Sequence, residues 1–151
     1  MLRLAILSPS ITNNVETFVR SHVNGINANV FFYYGDLIPR FCEGIGAFSI
    51  DKASLKHPWS IAKRILHINP VKYKASGLNI FEYLFVLSLK RNKIDVVLAE
   101  YGTTGANVVN ACKYANIPLV AHFHGRDSSA YDVLEKYKHS YVNLFTYASS
   151  I

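Results

Sequence analysis

Two histidines, an arginine and an aspartate lie within six consecutive residues, the densest group of ionisable side chains in the sequence. They are His122, His124, Arg126 and Asp127, and Gly125 among them permits close backbone approach. Two imidazoles on one side of an extended segment can grip a zinc ion. A hydrolase of the His-x-His-x-Asp-His type, however, has Asp where this chain has Arg126 and His where it has Asp127. Because a cation beside the imidazoles would repel a metal, the sequence predicts no metal here.

Phosphate-binding loops are the second kind of chemistry to consider. The segment 8–14, which follows the first predicted strand, contains no glycine, and no G-x-x-x-x-G-K-[ST] motif occurs elsewhere. The sequence therefore argues against dinucleotide-binding and P-loop chemistry. Gly102 and Gly105 at a predicted helix start still leave open an anion held by backbone N–H groups.

Strand and helix patterns alternate along most of the chain. A capping pair, Asn13 and Glu16, precedes apolar residues at helical spacing, and the segment 37–76, broken by proline and glycine, predicts loops and short helices. The other predicted helices are 77–91, 103–115 and 129–138, the last with Ser129 as its cap, and the predicted strands are 2–7, 28–34, 94–99, 117–122 and 142–147.

This alternation predicts right-handed βαβ units on a parallel sheet, an α/β, Rossmann-like fold. Ligands of such sheets bind beyond the carboxyl ends of the strands. The loops 8–14, 100–105 and 122–127 are accordingly the candidate sites.

Composition predicts one compact domain over residues 1–151. Half of the residues are hydrophobic and only 17% are charged, which is enough apolar material for one substantial core. The two cysteines, Cys42 and Cys112, lie far apart outside any C-x-x-C spacing, so we expect a reducing compartment and no disulfide framework. The sequence shows neither a secretory signal nor an apolar run long enough to cross a bilayer, and we expect a cytoplasmic protein.

The net charge of +6 is concentrated in one region. Residues 52–93 hold nine Lys and Arg against a single acidic residue, Glu82, and aromatic and apolar residues are interleaved with the charges. Such a pattern is typical of a solvated surface, or of a segment lying on the inner face of an anionic membrane. No nucleic-acid-binding motif accompanies it, so we expect no nucleic-acid partner.

Four segments together resemble family four glycosyltransferases, which have the two-domain GT-B fold. Residues 118–127 (Pro-Leu-Val-Ala-His-Phe-His-Gly-Arg-Asp) are similar to that family's apolar strand followed by x-His-Gly-x-Asp. Residues 16–18 resemble the Glu-Thr-Phe opening of its first helix, and 95–102 correspond to its Asp-apolar-apolar-His-x-His-Phe-Gly strand. Residues 147–150 correspond to a strand ending in serine before a helix.

The resemblance implies a retaining, hexosyltransferase-type transfer from a nucleotide-sugar donor to a glycan or lipid-linked acceptor in surface polysaccharide synthesis, with no cofactor. In the family the amino-terminal domain shapes the acceptor side, and a carboxyl-terminal domain binds the nucleotide. The chain is accordingly expected to be an amino-terminal half, truncated at 149–151. A non-catalytic module that binds an anionic membrane or glycan is the alternative.

The resemblance also implies site residues. His124 corresponds to the family histidine that approaches the donor sugar, and Asp127 is the second catalytic candidate. Two departures are a missing Gly-Gly pair in the first loop and Glu100 at a position where the family often has histidine. The expected substrate-binding residues are Ser10, Asn13, Asn14, Glu100, Gly102, Gly125 and Arg126.

Overall fold

A computed structural model describes residues 1–10, 17–50, 56 and 58–151. Its six-stranded mixed sheet has the order β4-β3-β2-β1-β5-β6 and is flanked by helices. The strands are β1 (Arg3–Leu7), β2 (Asn29–Tyr34), β3 (Phe41–Cys42), β4 (Gly46–Ala47), β5 (Val96–Ala99) and β6 (Leu119–Ala121). The helices are α1 (Thr17–Gly25), α2 (Pro58–Ile65), α3 (Pro70–Ser76), α4 (Ile80–Arg91), α5 (Gly102–Ala115), α6 (Gly125–Ser129) and α7 (Tyr131–Tyr147).

The four longer strands are parallel, as the alternation of the sequence predicts. β1 lies between β2 and β5, and β5 pairs with β6. The chain therefore leaves β1 towards β2 on one side and later returns to its other side with β5. In α/β sheets ligands bind beyond the carboxyl ends of the strands at such a reversal, which here lies between β1 and β5.

The two faces of the sheet bury separate clusters. Leu4 and Ile6 of β1 pack with Val19 of α1, whereas Ala5 and Leu7 belong to the larger cluster. Successive strand residues point to opposite faces, so this short apolar run needs no polar alternation. The larger cluster includes apolar side chains of α4, α5 and α7.

An antiparallel hairpin extends the sheet beyond β2, and the sequence analysis did not predict it. Tyr33 pairs with Cys42, and Cys42 pairs with Gly46 across a turn in which Gly44 and Gly46 have φ of 75° and 97°. Strands of two residues are too short to show a period. The predicted short helices of the 37–76 segment are present as α2 and α3.

The predicted strand 142–147 is wrong, because these residues form the second half of α7. Residues rich in β-formers are helical here because Tyr141 and Leu144, three positions apart, are both buried against the core. Gly105 allows this approach, since a Cβ there would lie 3.3 Å from the Leu144 methyl groups. The extended segment comes later, where Ser150 bridges in parallel to Val120.

Two further expectations change with α7. The predicted cap at Ser129 is incorrect, because Ser129 ends α6 and Ala130 precedes α7. The second half of the predicted loop 122–127 is also helical, since α6 begins at Gly125. Residues 147–150 do not form a strand that ends in serine, since Tyr147 ends a helix and Ser150 makes the bridge. The capping pair Asn13 and Glu16 lies outside the described residues.

Candidate functional site

The candidate site lies where β1, β5 and β6 end. Backbone hydrogen bonds continue the ladder one residue beyond each strand: Ser8 N–H donates to Tyr33 O, Glu100 N–H to Leu7 O, and His122 N–H to Ala99 O at 2.8 Å. Glu100 and His122 are therefore fixed by the sheet itself. This rigid placement suits residues that must act together.

Glu100 is the centre of the site. Its side chain is fully buried, and its two carboxylate oxygens face different imidazoles. His22 Nδ1 of α1 is hydrogen-bonded to Oε1 at 2.7 Å, and His122 Nδ1 is hydrogen-bonded to Oε2 at 3.1 Å. His124 Nε2 lies 4.0 Å from Oε2. We call His22, Glu100, His122 and His124 the histidine–glutamate cluster.

Aromatic rings enclose His124. The Phe18 ring of α1 lies 4.3 Å from the imidazole, centroid to centroid, and the Tyr101 ring lies 5.0 Å from it. The side chain keeps 25% of its surface exposed, but Nε2 is buried and makes no hydrogen bond within the described part of the chain. A buried nitrogen without a partner is costly unless a ligand or ion completes it.

Asp127 connects the two loops that carry the cluster. Its carboxylate is buried and accepts hydrogen bonds from Gly102 N–H at 2.5 Å and from His124 N–H at 2.6 Å. Gly102 N–H is at the first turn of α5, where a carboxylate is also favoured by the helix dipole. The carboxylate therefore fixes the backbone of His124.

Tyr141 supports Asp127 from α7. Its hydroxyl donates to the backbone oxygen of Asp127 at 3.0 Å. Burial, with the negative charge of Asp127 as the next contribution, raises the pKa of Tyr141 to about 12. The hydroxyl therefore stays protonated and remains a donor at physiological pH.

The two glycines of the site have different roles. A Cβ at Gly102 would lie 2.1 Å from the Phe123 ring, so only glycine leaves room for that ring. A Cβ at Gly125 would meet nothing within 4 Å. Among the described residues, therefore, no protein atom makes the close backbone approach that the sequence predicts at Gly125.

The other predicted residues divide into three groups. Glu100 and Gly102 lie beside His124, as the three-loop expectation requires. Arg126 lies apart from the cluster, because its side chain is 82% exposed and pairs with Asp132 at 3.4 Å. Ser10 is half-buried at the end of the described first loop, and Asn13 and Asn14 lie outside the described residues.

Three residues of the site were not predicted as functional: His22, Phe18 and Tyr101. Phe18 and His22 both follow the capping pair, in the segment whose apolar residues have helical spacing. Their i, i+4 spacing does put them on one face, as found. One sequence signal could have indicated the role of His22. It is a histidine among apolar residues at helical spacing, and the loop after β6 holds two further histidines.

His22, Glu100 and His122 are also the residues that can hold a metal. Their three ligand atoms, two Nδ1 and one carboxylate oxygen, all lie within 4.8 Å of one another. Two histidines and one carboxylate form a ligand set that suits Zn²⁺ and other divalent transition metals.

A concave region lies away from the histidine–glutamate cluster. It is a cavity of about 740 Å³ between α2, α4 and the β3–β4 hairpin, and none of the cluster residues lines it. Its basic lining residues are Lys63, Arg64, His67 and Arg91. Within the part of the chain that the structure describes, no helix is both long and apolar enough to cross a bilayer.

Comparison with known proteins finds no matching family model, no similar curated protein and no similar solved structure. The class of the protein therefore rests on its own geometry. It is an α/β protein with a six-stranded mixed sheet flanked by helices, compatible with a Rossmann-like fold.

Proposed function

We propose that this chain is the acceptor-side domain of a retaining glycosyltransferase of GT-B type. In this proposal the two-domain enzyme transfers a hexose from a nucleotide-sugar donor to a glycan or lipid-linked acceptor during surface polysaccharide synthesis, and the amino-terminal domain alone is inactive. The single observation that carries the proposal is the position of His124. It follows β6 beside the buried Glu100, and its side chain keeps 25% of its surface exposed at the carboxyl edge of the sheet.

In this proposal His124 meets the donor sugar. A neutral imidazole can exchange a hydrogen bond with a sugar hydroxyl and can stabilise charge that develops as the bond from the anomeric carbon to the phosphate breaks. The acceptor oxygen forms the new bond to that carbon, and its proton passes to the departing phosphate. A second domain binds the nucleotide in this scheme.

Asp127 acts in this scheme as a positioning residue. Both carboxylate oxygens are occupied by backbone N–H groups, and the side chain is buried. It holds the His124 backbone and the start of α5 in register and does not contact the sugar. Holding a catalytic group within a fraction of an ångström is a recognised contribution to rate.

The test is turnover of labelled nucleotide sugars by the complete translated protein. We expect His124→Ala to reduce donor hydrolysis and transfer about 100-fold or more, the usual contribution of a positioned acid, base or hydrogen-bonding group. His139→Ala is the matched control, since His139 is exposed on α7 and should have no effect. Wild-type turnover by the His124→Ala variant, or no turnover of any nucleotide sugar by the unaltered protein, would refute the proposal.

A second candidate function, a non-catalytic module that binds an anionic membrane surface, is favoured by the basic cavity. The large apolar side chains Trp59, Leu66 and Val71 of the surrounding segment are 85%, 77% and 75% exposed. Apolar residues beside Lys63 and Arg91 are typical of a surface that lies in the headgroup region, where each cation contributes about 1 kcal/mol. In this function the protein works at the inner face of the membrane.

Vesicle sedimentation tests this second function. Vesicles that contain phosphatidylserine should retain the protein, whereas vesicles of phosphatidylcholine alone should not. Lys63→Glu together with Arg91→Glu should abolish retention. Lys136→Glu with Lys138→Glu, at two exposed positions of α7, is the control of equal charge change. Equal retention by both vesicle types rejects an electrostatic membrane surface, and binding only to an acidic glycan would assign the cavity to that partner.

A further inference from the structure

Three side chains from distant parts of the sequence converge on one point at the carboxyl edge of the sheet. His22 comes from α1, Glu100 follows β5 and His122 follows β6. The Nδ1 atoms of the two histidines are 2.7 and 3.1 Å from different oxygens of the Glu100 carboxylate. We propose that His22, Glu100 and His122 form a binding site for a divalent transition metal ion, with Zn²⁺ the ion best suited to it.

The distances between the ligand atoms fit one ion. Zinc lies about 2.0–2.2 Å from histidine nitrogen and carboxylate oxygen, so two ligands of a tetrahedral ion are about 3.3 Å apart. The three ligand atoms already lie within 4.8 Å of one another. Small rotations of the two imidazoles, whose side chains are 36% and 45% exposed, bring the set to coordinating distance.

The charge at the centre of the site favours a cation. Glu100 is fully buried, and a buried carboxylate requires a compensating partner. A dication satisfies the carboxylate and the two imidazoles together. In the metal-bound state each neutral imidazole carries its one proton on Nε2, so Nδ1 presents its lone pair to the metal. A ring that starts with the proton on Nδ1 releases it to solvent and takes one up at Nε2, so there is no net proton release.

His124 supplies an independent observation. Its Nε2 is buried, has no hydrogen-bond partner among the described residues and lies 4.0 Å from Glu100 Oε2. A water molecule on the ion would give this nitrogen the partner it lacks. Three protein ligands with water in the fourth position are the arrangement of catalytic zinc sites, which lower the pKa of the bound water towards 7.

The sequence argument against a metal does not apply to this ligand set. That argument combined His122 with His124 and relied on repulsion by Arg126. In the structure the Arg126 side chain is 82% exposed and pairs with Asp132, and His22 and Glu100 complete the set instead. Sequence spacing does not reveal a metal site of this kind, because His22 and Glu100 are 78 positions apart.

Metal binding to the chain itself tests the proposal. After treatment with a chelator, the protein should bind one equivalent of Zn²⁺ in calorimetry, and Co²⁺ should give the intense visible bands of a four-coordinate ion. Because the ligands connect α1 to β5 and β6, a saturating metal at about 100 times Kd should raise the Tm by about 5–10 °C.

Variants of the ligands distinguish Zn²⁺ bound at the proposed site from Zn²⁺ bound elsewhere on the surface. His22→Ala and His122→Ala should each weaken Zn²⁺ binding about 100-fold or more and abolish the Tm increase, whereas the exposed His139→Ala should change neither. His22 and His122 are partly exposed, so both variants are expected to fold, which circular dichroism checks. Glu100→Gln should weaken binding as well.

Two results would overturn the metal site. One is a folded wild-type chain that binds none of Zn²⁺, Co²⁺, Ni²⁺, Mn²⁺ or Fe²⁺ at submillimolar concentration. The other is Zn²⁺ binding that the His22 and His122 variants leave unchanged. The inference does not rest on glycosyl transfer, because its readout is binding and thermal stability, and a negative result here leaves the donor-turnover test untouched.

Discussion

The Asp127 carboxylate accepts the backbone N–H of Gly102 at 2.5 Å, joining residues 25 positions apart in the sequence. The same carboxylate accepts His124 N–H. One buried side chain therefore sets the distance between the loop after β5 and the loop after β6, and with it the distance between Glu100 and His124.

Removing that carboxylate should destabilise the fold. Asp127→Ala leaves two backbone N–H groups at a buried position without an acceptor, and each costs about 1–3 kcal/mol, so we expect a loss of about 3 kcal/mol in the free energy of unfolding. Urea denaturation measures it. Asp132→Ala, at an exposed aspartate, should cost less than about 0.5 kcal/mol. Equal losses in both variants would show that the Asp127 hydrogen bonds contribute little.

Gly102 and Gly125 form a matched pair for testing the packing of Phe123. Gly102→Ala places a methyl group 2.1 Å from the Phe123 ring and should cost about 1–3 kcal/mol through overpacking. Gly125→Ala meets no atom within 4 Å and should be neutral or slightly stabilising. Thermal unfolding of the two variants separates them, and adding Phe123→Ala to Gly102→Ala should recover part of the loss. An unchanged Tm for Gly102→Ala would contradict this packing.

The helical state of residues 142–147 makes its own prediction. In a strand, Val142 and Leu144 would share a face. In α7, Leu144 is fully buried and Val142 is 63% exposed. Leu144→Ala should therefore cost about 2–5 kcal/mol, and Val142→Ala less than about 0.5 kcal/mol. If urea denaturation shows similar losses in the free energy of unfolding for the two variants, residues 142–147 form a strand and not a helix.

Alkaline pH should destabilise the protein. Burial raises the pKa of Tyr33 to about 12 and that of the Cys112 thiol to about 12, so the folded state keeps protons that the unfolded state releases near pH 9–10. The contribution of these groups to stability is complete below about pH 9 and is lost as pH rises towards 12.

Thermal unfolding between pH 8 and pH 12 checks whether stability falls as the pH rises. Tyr33→Phe and Cys112→Ala should lower the Tm at neutral pH but lose less of it on going to high pH than the wild type does. If a variant that carries both substitutions loses as much Tm as the wild type across this range, other groups cause the alkaline unfolding.

Local patterns predicted the parallel strands and the order of most helices. The continuous apolar run of β1 and the helical spacing of the apolar residues in α1 each predict which residues are buried. The β3–β4 hairpin could not be predicted, because two-residue strands carry no period. The error at 142–147 arose because intrinsic β-propensity opposed the packing of Leu144 against the core, and packing determined the outcome.

The candidate site could be predicted only in part, for a geometric reason. The loops after β5 and β6 contain Glu100, His124 and Asp127 in the sequence order that a parallel sheet brings together. Which of them contact each other depends on side-chain direction: Arg126 extends into solvent and Asp127 turns inward to the backbone. His22 comes from α1, 78 positions before Glu100, and spacing alone does not show this contact.

The β3–β4 hairpin has a consequence for association between molecules. Beyond β2 the sheet finishes in a strand of only two residues, which offers too few free backbone groups to template the strand of a neighbouring molecule. On the opposite flank, Val120 of β6 forms an isolated parallel bridge with Ser150, so part of this edge is already paired. At its β4 flank the sheet is therefore protected against edge-to-edge pairing between molecules.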